Sequence, residues 1–464
     1  MSFVVSGLRV RKSRILALGL LLFLVAVFAL SAWKIANRLS PSSFAAALPN
    51  AALPSSSAGD VGNVAQKPGL PPNQTSADGR PRFDAGFISS AAGQAVHAAS
   101  LVELGDGGLR AVWFSGSREG AGDVVIKTSV MDAASLRWSE ETTLFDLQRI
   151  QQDLWRYVRK LGNPVIARAP DGSLWLWMVN VSLGGWAGSS ITWARSTDDG
   201  VHWSVPHRLV TSPFLNISTL VKGTPFFYQD GQIGLPVYHE FLTKFAEVLR
   251  IDPDGHVVDK YRVPASHNSL QPVVLPTTPQ RAQMYLRSGD RIAVMRSDTS
   301  DAGKTWSPAQ ATRWPNPDSA LAGVVTAGGQ QWLALNPTAS NRETLALLHS
   351  PAGGSFDSSA PWVVEAPVAP EKRLTADEHE RLLGDELRMR GASDAQVAAY
   401  VASARRQLCA NGACSLEFSY PYLLQSGDGH LHLAYTWHRT RIKHVRLDPL
   451  QRLQIDAARA SQKP

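Results

Sequence analysis

Six copies of one phrase constrain this chain more than any other feature. Each is a Gly- or Pro-flanked turn followed at once by a strand of alternating large apolar residues. The copies are GDGGLRAVWF (105–114), PDGSLWLWMV (170–179), QDGQIGLPVY (229–238), TPQRAQMYLR (278–287), AGGQQWLALN (327–336) and GDGHLHLAYT (427–436). They recur every 50–65 residues or so, with one longer gap before the last. Regular repeats of this length, each holding several strands, read as propeller blades, which close into a ring and leave no long bare sheet edge. The predicted fold class is all-β, a six-bladed β-propeller over residues 85–447.

A second repeat agrees with the first. Ser196–Trp203 (STDDGVHW) and Thr299–Trp306 (TSDAGKTW) share the form Ser/Thr-x-Asp-x-Gly-x-x-Trp. Asp bonds the turn backbone, Gly takes a positive φ, and Trp plugs the turn onto the blade. Their role is structural. The 14 Trp, 36 Gly and 29 Pro suit turns and strands better than helices. Helical patterns are confined to about 375–390 and 393–408, where Thr375–Glu378 and Ser393–Gln396 each fit a capping box. This hairpin reads as an insertion (374–408) in the last blade, a lid or a contact surface for a partner that the sequence does not identify.

The N-terminus carries an uncharged 19-residue run, Ile15–Trp33, preceded by Arg9, Arg11, Lys12 and Arg14. About 20 apolar residues span a bilayer, and flanking positive charge stays inside. The expectation is a single-pass signal anchor (15–33) after a cytoplasmic basic tail (1–14), with the rest outside the cytoplasm; a cleaved signal peptide is the rival. Residues 34–84, rich in Ala, Ser, Pro and Asn, read as a disordered spacer, and 448–464 as a tail.

The net charge of +7 favours acidic partners. No lysine-rich arm or zinc-finger spacing is present, so nucleic acid is not expected. The only cysteines, Cys409 and Cys414, read as a local disulfide on the non-cytoplasmic side. No metal or other cofactor is expected, and His430, His432, His438 and His444 read as surface histidines.

The Asp-containing turns, the six blades and an Arg in several of them resemble the sialidase (neuraminidase) superfamily. The likeness is nearest to bacterial and plant sialidase-like proteins with degenerate BNR (Asp-box) repeats. The phrases that carry it are WFSGSREGAGDVVI, GNPV, LPVYHE, SLQPVV, NR and EFSYP…YTWHRTRIKHV. The family grips a substrate carboxylate with three arginines and uses a Tyr nucleophile backed by Glu, with an Asp acid/base. By this resemblance the second and third arginines fall on Arg287 and Arg342, and the first on His97, a weaker, pH-dependent donor. The acid/base falls in Arg118–Asp123, with Asp123 foremost and Glu119 beside it. The supporting Glu falls on Gln271 and the nucleophile on Phe418, or on Tyr420 if the register slips by two. Glu417 would then be a partner three residues away, on the opposite strand face unless Pro421 supplies a bend.

The expectation is a membrane-anchored, sialidase-like exo-glycosidase acting on acidic sugars of extracytoplasmic glycans. Its catalytic candidates are Asp123, Glu119, Glu240, Glu417 and Tyr420. Its substrate-binding candidates are His97, Arg118, Tyr238, Gln271, Arg287 and Arg342. One alternative is a non-catalytic glycan-binding propeller, which the loss of Tyr and Glu supports. Another is a uronic-acid lyase in which a pair such as Tyr238-His239 abstracts a proton.

Overall fold

A computed structural model describes residues 3–37, 40–45, 84–90, 94–212, 216–367, 374–389 and 392–449. The chain falls into two compact units, residues 1–41 and 42–464. The first is one helix, α1 (Phe3–Ala36). Its Arg14–Trp33 window, 20 residues of mean hydropathy 2.8, is long and apolar enough to cross a membrane.

Six large antiparallel sheets build most of the second unit, and each repeated phrase supplies the turn and second strand of one of them. Sheet I joins Ala95–Glu103, Leu109–Gly116, Val125–Met131 and Thr142–Phe145. Sheet II joins Lys160–Arg168, Leu174–Val181, Ser189–Ser196 and His207–Arg208. In sheet III the path is Leu220–Val221, Ile233–Glu240, Lys244–Ile251 and Val257–Arg262, with Phe226–Phe227 also on Ile233–Glu240. Sheet IV runs through Ser269–Pro276, Ala282–Ser288, Ala293–Thr299 and Gln310–Pro315. Sheet V runs through Ala322–Val325, Gln331–Leu335, Leu345–Ser350 and Trp362–Glu365.

Sheet VI combines both ends of the unit. Phe418–Gln425, Leu431–Trp437 and Arg441–Leu447 take Asp84–Phe87 as their fourth strand. The opening strands of I and II, IV and V, V and VI, and VI and I touch, while sheet III meets II through Leu220–Val221 and IV through Ile233–Glu240. The second strands are therefore buried on both faces, which is why LWLWMVNV (Leu174–Val181) reads as a near-continuous apolar run.

The two Asp-containing turns share one geometry. Ser196 Oγ accepts from Gly200 N at 2.8 Å and Asp198 Oδ1 from His202 N at 2.9 Å. Thr299 Oγ1 accepts from Gly303 N at 3.1 Å and Asp301 Oδ1 from Thr305 N at 2.9 Å. Two consecutive left-handed residues make each turn, Asp199-Gly200 and Ala302-Gly303.

Double burial corrects the surface reading of three histidines. His432, His438 and His444 are 2%, 0% and 5% exposed, because the strand and its exit are covered from both sides. His432 Nδ1 and His444 Nε2 lie 2.9 Å apart, and His432 Nε2 lies 2.9 Å from Ser426 Oγ. Burial holds both rings neutral, with His444 pushed down to about 3 and His432 well below its usual value. An unfolded chain would protonate both near pH 6.5, so it binds more protons than the fold below that pH. Stability is therefore expected to fall as pH drops from about 6.5 towards 3, by up to about 1.4 kcal/mol per histidine per pH unit. Thermal melts of His444→Gln should show a shallower acid limb than wild type.

The helical insertion consists of α2 (Ala376–Met389) and α3 (Asp394–Leu408). Both capping boxes form: Thr375 Oγ1 accepts from Glu378 N at 3.2 Å, and Ser393 caps Gln396 reciprocally. Leu383, Leu387, Val397 and Tyr400 share a core cluster with Phe418, Leu423 and Trp437. The insertion is thus packed onto sheet VI.

Most of the predicted spacer (46–83) and of the predicted tail (450–464) lies outside the described residues. The near end of the spacer needs correction. Phe44 is 1% exposed, stacks on Tyr228 at 5.6 Å and meets Phe226 edge-on at 5.3 Å. Its amide donates to Pro279 O, and Ala45 N donates to Phe227 O. One aromatic residue in a small-residue stretch found an apolar slot. Phe44→Ala should cost about 3 kcal/mol, seen as a lower urea midpoint.

Candidate functional site

Bulges near the start of four opening strands build the site. Pairing skips 98–99 in sheet I, 163–164 in II, 271–272 in IV and 420–421 in VI. The first residue of each skipped pair is left-handed: Ala98 (φ 56°), Asn163 (φ 36°), Gln271 (φ 48°) and Tyr420 (φ 51°). Such backbone costs roughly 1–3 kcal/mol per residue and persists only where the surroundings over-determine it. Proline follows in three of the four cases (Pro164, Pro272, Pro421), at a position where no ladder N–H is needed. A bulge re-aims the side chain it carries. Here it brings Asn163, Gln271 and Tyr420 together around Tyr238.

The resulting network is tight. Asn163 Nδ2 donates to Tyr238 Oη at 3.2 Å. Gln271 Nε2 donates to Tyr420 Oη at 3.2 Å and to Tyr238 Oη at 3.4 Å. Arg287 Nη1 donates to Gln271 Oε1 at 2.9 Å and to Tyr420 Oη at 3.2 Å. Because Arg287 takes the amide oxygen, Gln271 must turn its NH₂ to the two phenols. Tyr420 Oη thus faces two N–H donors, one of them cationic, an arrangement that stabilises negative charge on that oxygen. Burial, followed by the neighbouring Tyr420, pushes the Tyr238 phenol well above its ordinary value.

Three guanidinium groups surround this network, each on a carboxylate. Arg287 Nε reaches Asp318 Oδ1 at 2.7 Å, and Asp318 is itself left-handed at φ 60°. Glu417 accepts from Arg439 Nε at 2.8 Å, Arg342 Nη1 at 3.1 Å and Ser419 Oγ at 2.7 Å. Arg439 Nη1 also reaches Glu119 Oε2 at 3.3 Å, and Arg342 Nη2 donates to Asp318 O at 2.8 Å. Burial alone would raise the Glu417 carboxyl, but Arg439 and Arg342 outweigh it and hold the carboxyl down at about 2. Glu240 is half-buried and has no such clamp. Burial pushes its pKa up against the pull of Lys244 and Arg287, with Asp318 and Glu119 adding to the rise.

His97 does not act as the expected pH-dependent cation. It is 3% exposed, lies 4.0 Å from the Tyr420 ring and meets Phe114 edge-on at 5.7 Å. Burial and then Arg439 push its pKa well below the ordinary value, so the ring is neutral. Among the described residues neither ring nitrogen has a hydrogen-bond partner. The third guanidinium beside the network is Arg439.

The remaining candidates sort clearly. Phe418 packs in the core with Leu416 and Trp437, away from the network, whereas Tyr420 enters it. The bend that separates Glu417 from Tyr420 is the bulge at Tyr420 itself. Asp123 is exposed and accepts from Ser117 N and Oγ, both at 3.0 Å; Arg118 is exposed on the same loop. Tyr238 and His239 do not form the pair a lyase would need. His239 reaches Glu247 at 3.1 Å and stacks on Phe245, facing away from the Tyr238 hydroxyl network, as strand neighbours do. Cys409 and Cys414 are bonded.

Sequence reasoning missed Asn163, Lys222, Asp318 and the role of Arg439. A signal existed for the first: GNPV, SLQPVV and FSYPYL all place a hydrogen-bonding side chain directly before proline. Lys222, 3% exposed, donates to Pro421 O at 2.9 Å and lies 5.9 Å from the Tyr420 ring centroid. Burial brings its ammonium down to about 7. A cavity of about 710 Å³ lies at the opposite ends of the same strands, lined by Glu103, Arg168, Phe227, Pro276, Val325 and Leu424. It contains none of the candidate residues.

A family model for the BNR repeat-like domain matches residues 107–433. No curated protein matches. Among solved structures, the fold is similar to the Hadza microbial sialidase Hz136 at 14% identity and TM-score 0.60, covering 80% of this chain and 69% of that one. It is also similar to a protein of unknown function from Dyadobacter fermentans at 11% identity and TM-score 0.58, covering 78% and 97%. A leech intramolecular trans-sialidase complexed with 2,7-anhydro-Neu5Ac gives 11% identity and TM-score 0.56, covering 78% and 69%. With a matching model over 327 of its 464 residues (107 to 433), the chain belongs to the BNR repeat-like domain family.

Proposed function

We propose that the protein is a membrane-anchored, sialidase-like glycosidase acting on an acidic sugar of an extracytoplasmic glycan, with Tyr420 as its nucleophile. The six sheets are read as blades of a closed propeller. This reading rests on the contacts between successive opening strands and on the pairing of Asp84–Phe87 with Arg441–Leu447. Arg9, Arg11, Lys12 and Arg14, ahead of the uncharged run, support a cytoplasmic N-terminus with the propeller outside.

The observation that carries the reaction is the bulge at Tyr420, which sets the phenol oxygen against Arg287 and Gln271. Attack by that oxygen on the anomeric carbon, with the phenol proton lost to solvent, forms a glycosyl–Tyr bond as the bond to the leaving oxygen breaks. The leaving oxygen takes a proton from an acid, and water later cleaves the intermediate. Glu240, whose pKa burial raises, is the first candidate for the proton donor, and Asp123 on its exposed loop is the second. Glu417 is unsuited to proton transfer, because a carboxyl held near 2 is a weak base. It positions Arg342 and Arg439 instead. The substrate carboxylate would share Arg287 and its neighbours with Asp318 and Glu417, and neutral His97 would donate one hydrogen bond.

A binding-only propeller is the second reading, favoured by the Gln271 amide, which cannot accept the phenol proton. Incubating the full chain in detergent with a panel of acidic oligosaccharides and aryl glycosides separates the two. Release of a reducing sugar, lost in Glu240→Gln with binding retained, supports the glycosidase. Binding without release supports the module. An unsaturated, ultraviolet-absorbing product would instead revive the lyase.

A further inference from the structure

We propose that the Cys409–Cys414 clasp, once reduced, is a binding site for one soft divalent cation of the zinc class, with His379 as third ligand. The clasp sits at the exit of α3 (Asp394–Leu408), in a small three-stranded sheet (Leu374–Thr375, Ala413–Cys414, Cys409–Ala410) where Cys409 and Cys414 are direct cross-strand partners. The turn between them holds Asn411 (φ 53°) and Gly412 (φ 75°), both left-handed, as a tight two-residue hairpin turn requires. The sheet therefore keeps both sulfurs on one face of the hairpin whether or not they are bonded to each other. His379 of α2 approaches the same face, with Nδ1 3.9 Å from Cys409 Sγ. The ligand atoms of His379, Cys409 and Cys414 all lie within 4.8 Å of one another. A tetrahedral zinc site with bonds of about 2.3 Å to sulfur and 2.0 Å to nitrogen needs ligand atoms roughly 3.5–3.8 Å apart. Opening the disulfide to that separation is a small movement.

The only polar contact of the imidazole among the described residues is that of Nδ1 with Cys409 Sγ. His379 is fully buried, and its Nε2 has no hydrogen-bond partner among the described residues. A structural histidine in a core is normally bonded, because an unpaired buried polar atom costs roughly 1–3 kcal/mol. His438, with its ring 5.8 Å from that of His379, is not counted as a ligand. Its Nδ1 accepts from Glu417 N at 3.1 Å, which leaves the proton on Nε2. Three protein ligands thus leave a fourth position for water or an external ligand.

The chemistry balances simply. A phosphine supplies two electrons and leaves as phosphine oxide, taking its oxygen from a water whose two protons complete the thiols; a dithiol supplies both electrons and both protons and leaves as its disulfide. Cation binding then releases both thiol protons.

Cobalt(II) is the probe, read on the full chain in detergent. These are the only two cysteines, so any thiolate-to-cobalt charge-transfer band must arise from them. The phosphine-reduced chain should take up one cobalt, with that band and the visible bands of a tetrahedral site; the oxidised chain should show neither. His379→Ala should weaken cobalt binding by at least about tenfold, and Cys409→Ser should remove the charge-transfer band. Near-ultraviolet circular dichroism checks that each variant is folded. If a variant misfolds, displacement of cobalt by zinc on the unaltered reduced chain, with loss of the band, reads the same site. The proposal is overturned if the reduced chain shows no thiolate band with cobalt in large excess. Binding that needs no reduction, or that a folded His379→Ala retains in full, would overturn it equally.

Discussion

Tyr420→Phe is expected to lower kcat/KM on an acidic glycoside by at least about a thousandfold while leaving ligand binding nearly intact. The reason is local. Phenylalanine keeps the ring that lies 4.0 Å from His97 but removes the oxygen that faces Arg287 Nη1 and Gln271 Nε2. The fold should tolerate the change at a cost of about 1–2 kcal/mol, since Gln271 keeps Tyr238 and Arg287 keeps Asp318 as partners. Phe418→Tyr provides the contrast. A hydroxyl there would enter the apolar cluster of Leu416, Trp437 and the helical insertion, so it should destabilise the chain and restore no activity.

Glu417→Gln should produce a large loss of stability. The carboxylate joins Arg342 and Arg439, whose side chains are 19% and 28% exposed, and is itself 10% exposed. Removing one partner of a buried ion pair strands the other charge, a loss of 3–5 kcal/mol in fully buried cases. The fall of the Glu417 pKa from its ordinary 4.5 to about 2 corresponds to about 3 kcal/mol, and the partly wet arginines favour that lower end. For a carboxyl depressed in the fold, this stabilisation is complete above about pH 4.5 and disappears as pH falls through about 2. Urea midpoints of wild type and Glu417→Gln should therefore differ most at neutral pH and converge in strong acid. A difference below about 1 kcal/mol at neutral pH would mean that the cluster is solvated rim charge.

The strand plan was legible because it depends on local pattern. All six repeated phrases are second strands, both Asp-containing turns form, and both capping boxes start helices. Phe44 and the three buried histidines were misjudged for one reason: burial there comes from neighbouring sheets, which period-two alternation along a single strand does not report. The site was half legible. Gln271, Arg287, Arg342, Glu417 and Tyr420 do converge, yet the choice of Tyr420 over Phe418 turns on one bulge that shifts the register. Arg439 gave no signal as a site residue because Glu119 lies far away in the chain and Glu417 reaches it from the entry to the neighbouring strand. His97 looked like a replacement cation because residue type says nothing about desolvation.

A covalent adduct on Tyr420 tests the central claim most directly. The full chain, incubated with a fluorinated acidic glycosyl fluoride that forms but slowly releases a glycosyl–enzyme, would be digested and mapped by mass spectrometry. A single adduct on the peptide carrying Tyr420, lost in Tyr420→Phe, is the predicted result. An intact chain without adduct, while the same sugar still binds, would contradict the account and leave a glycan-binding propeller.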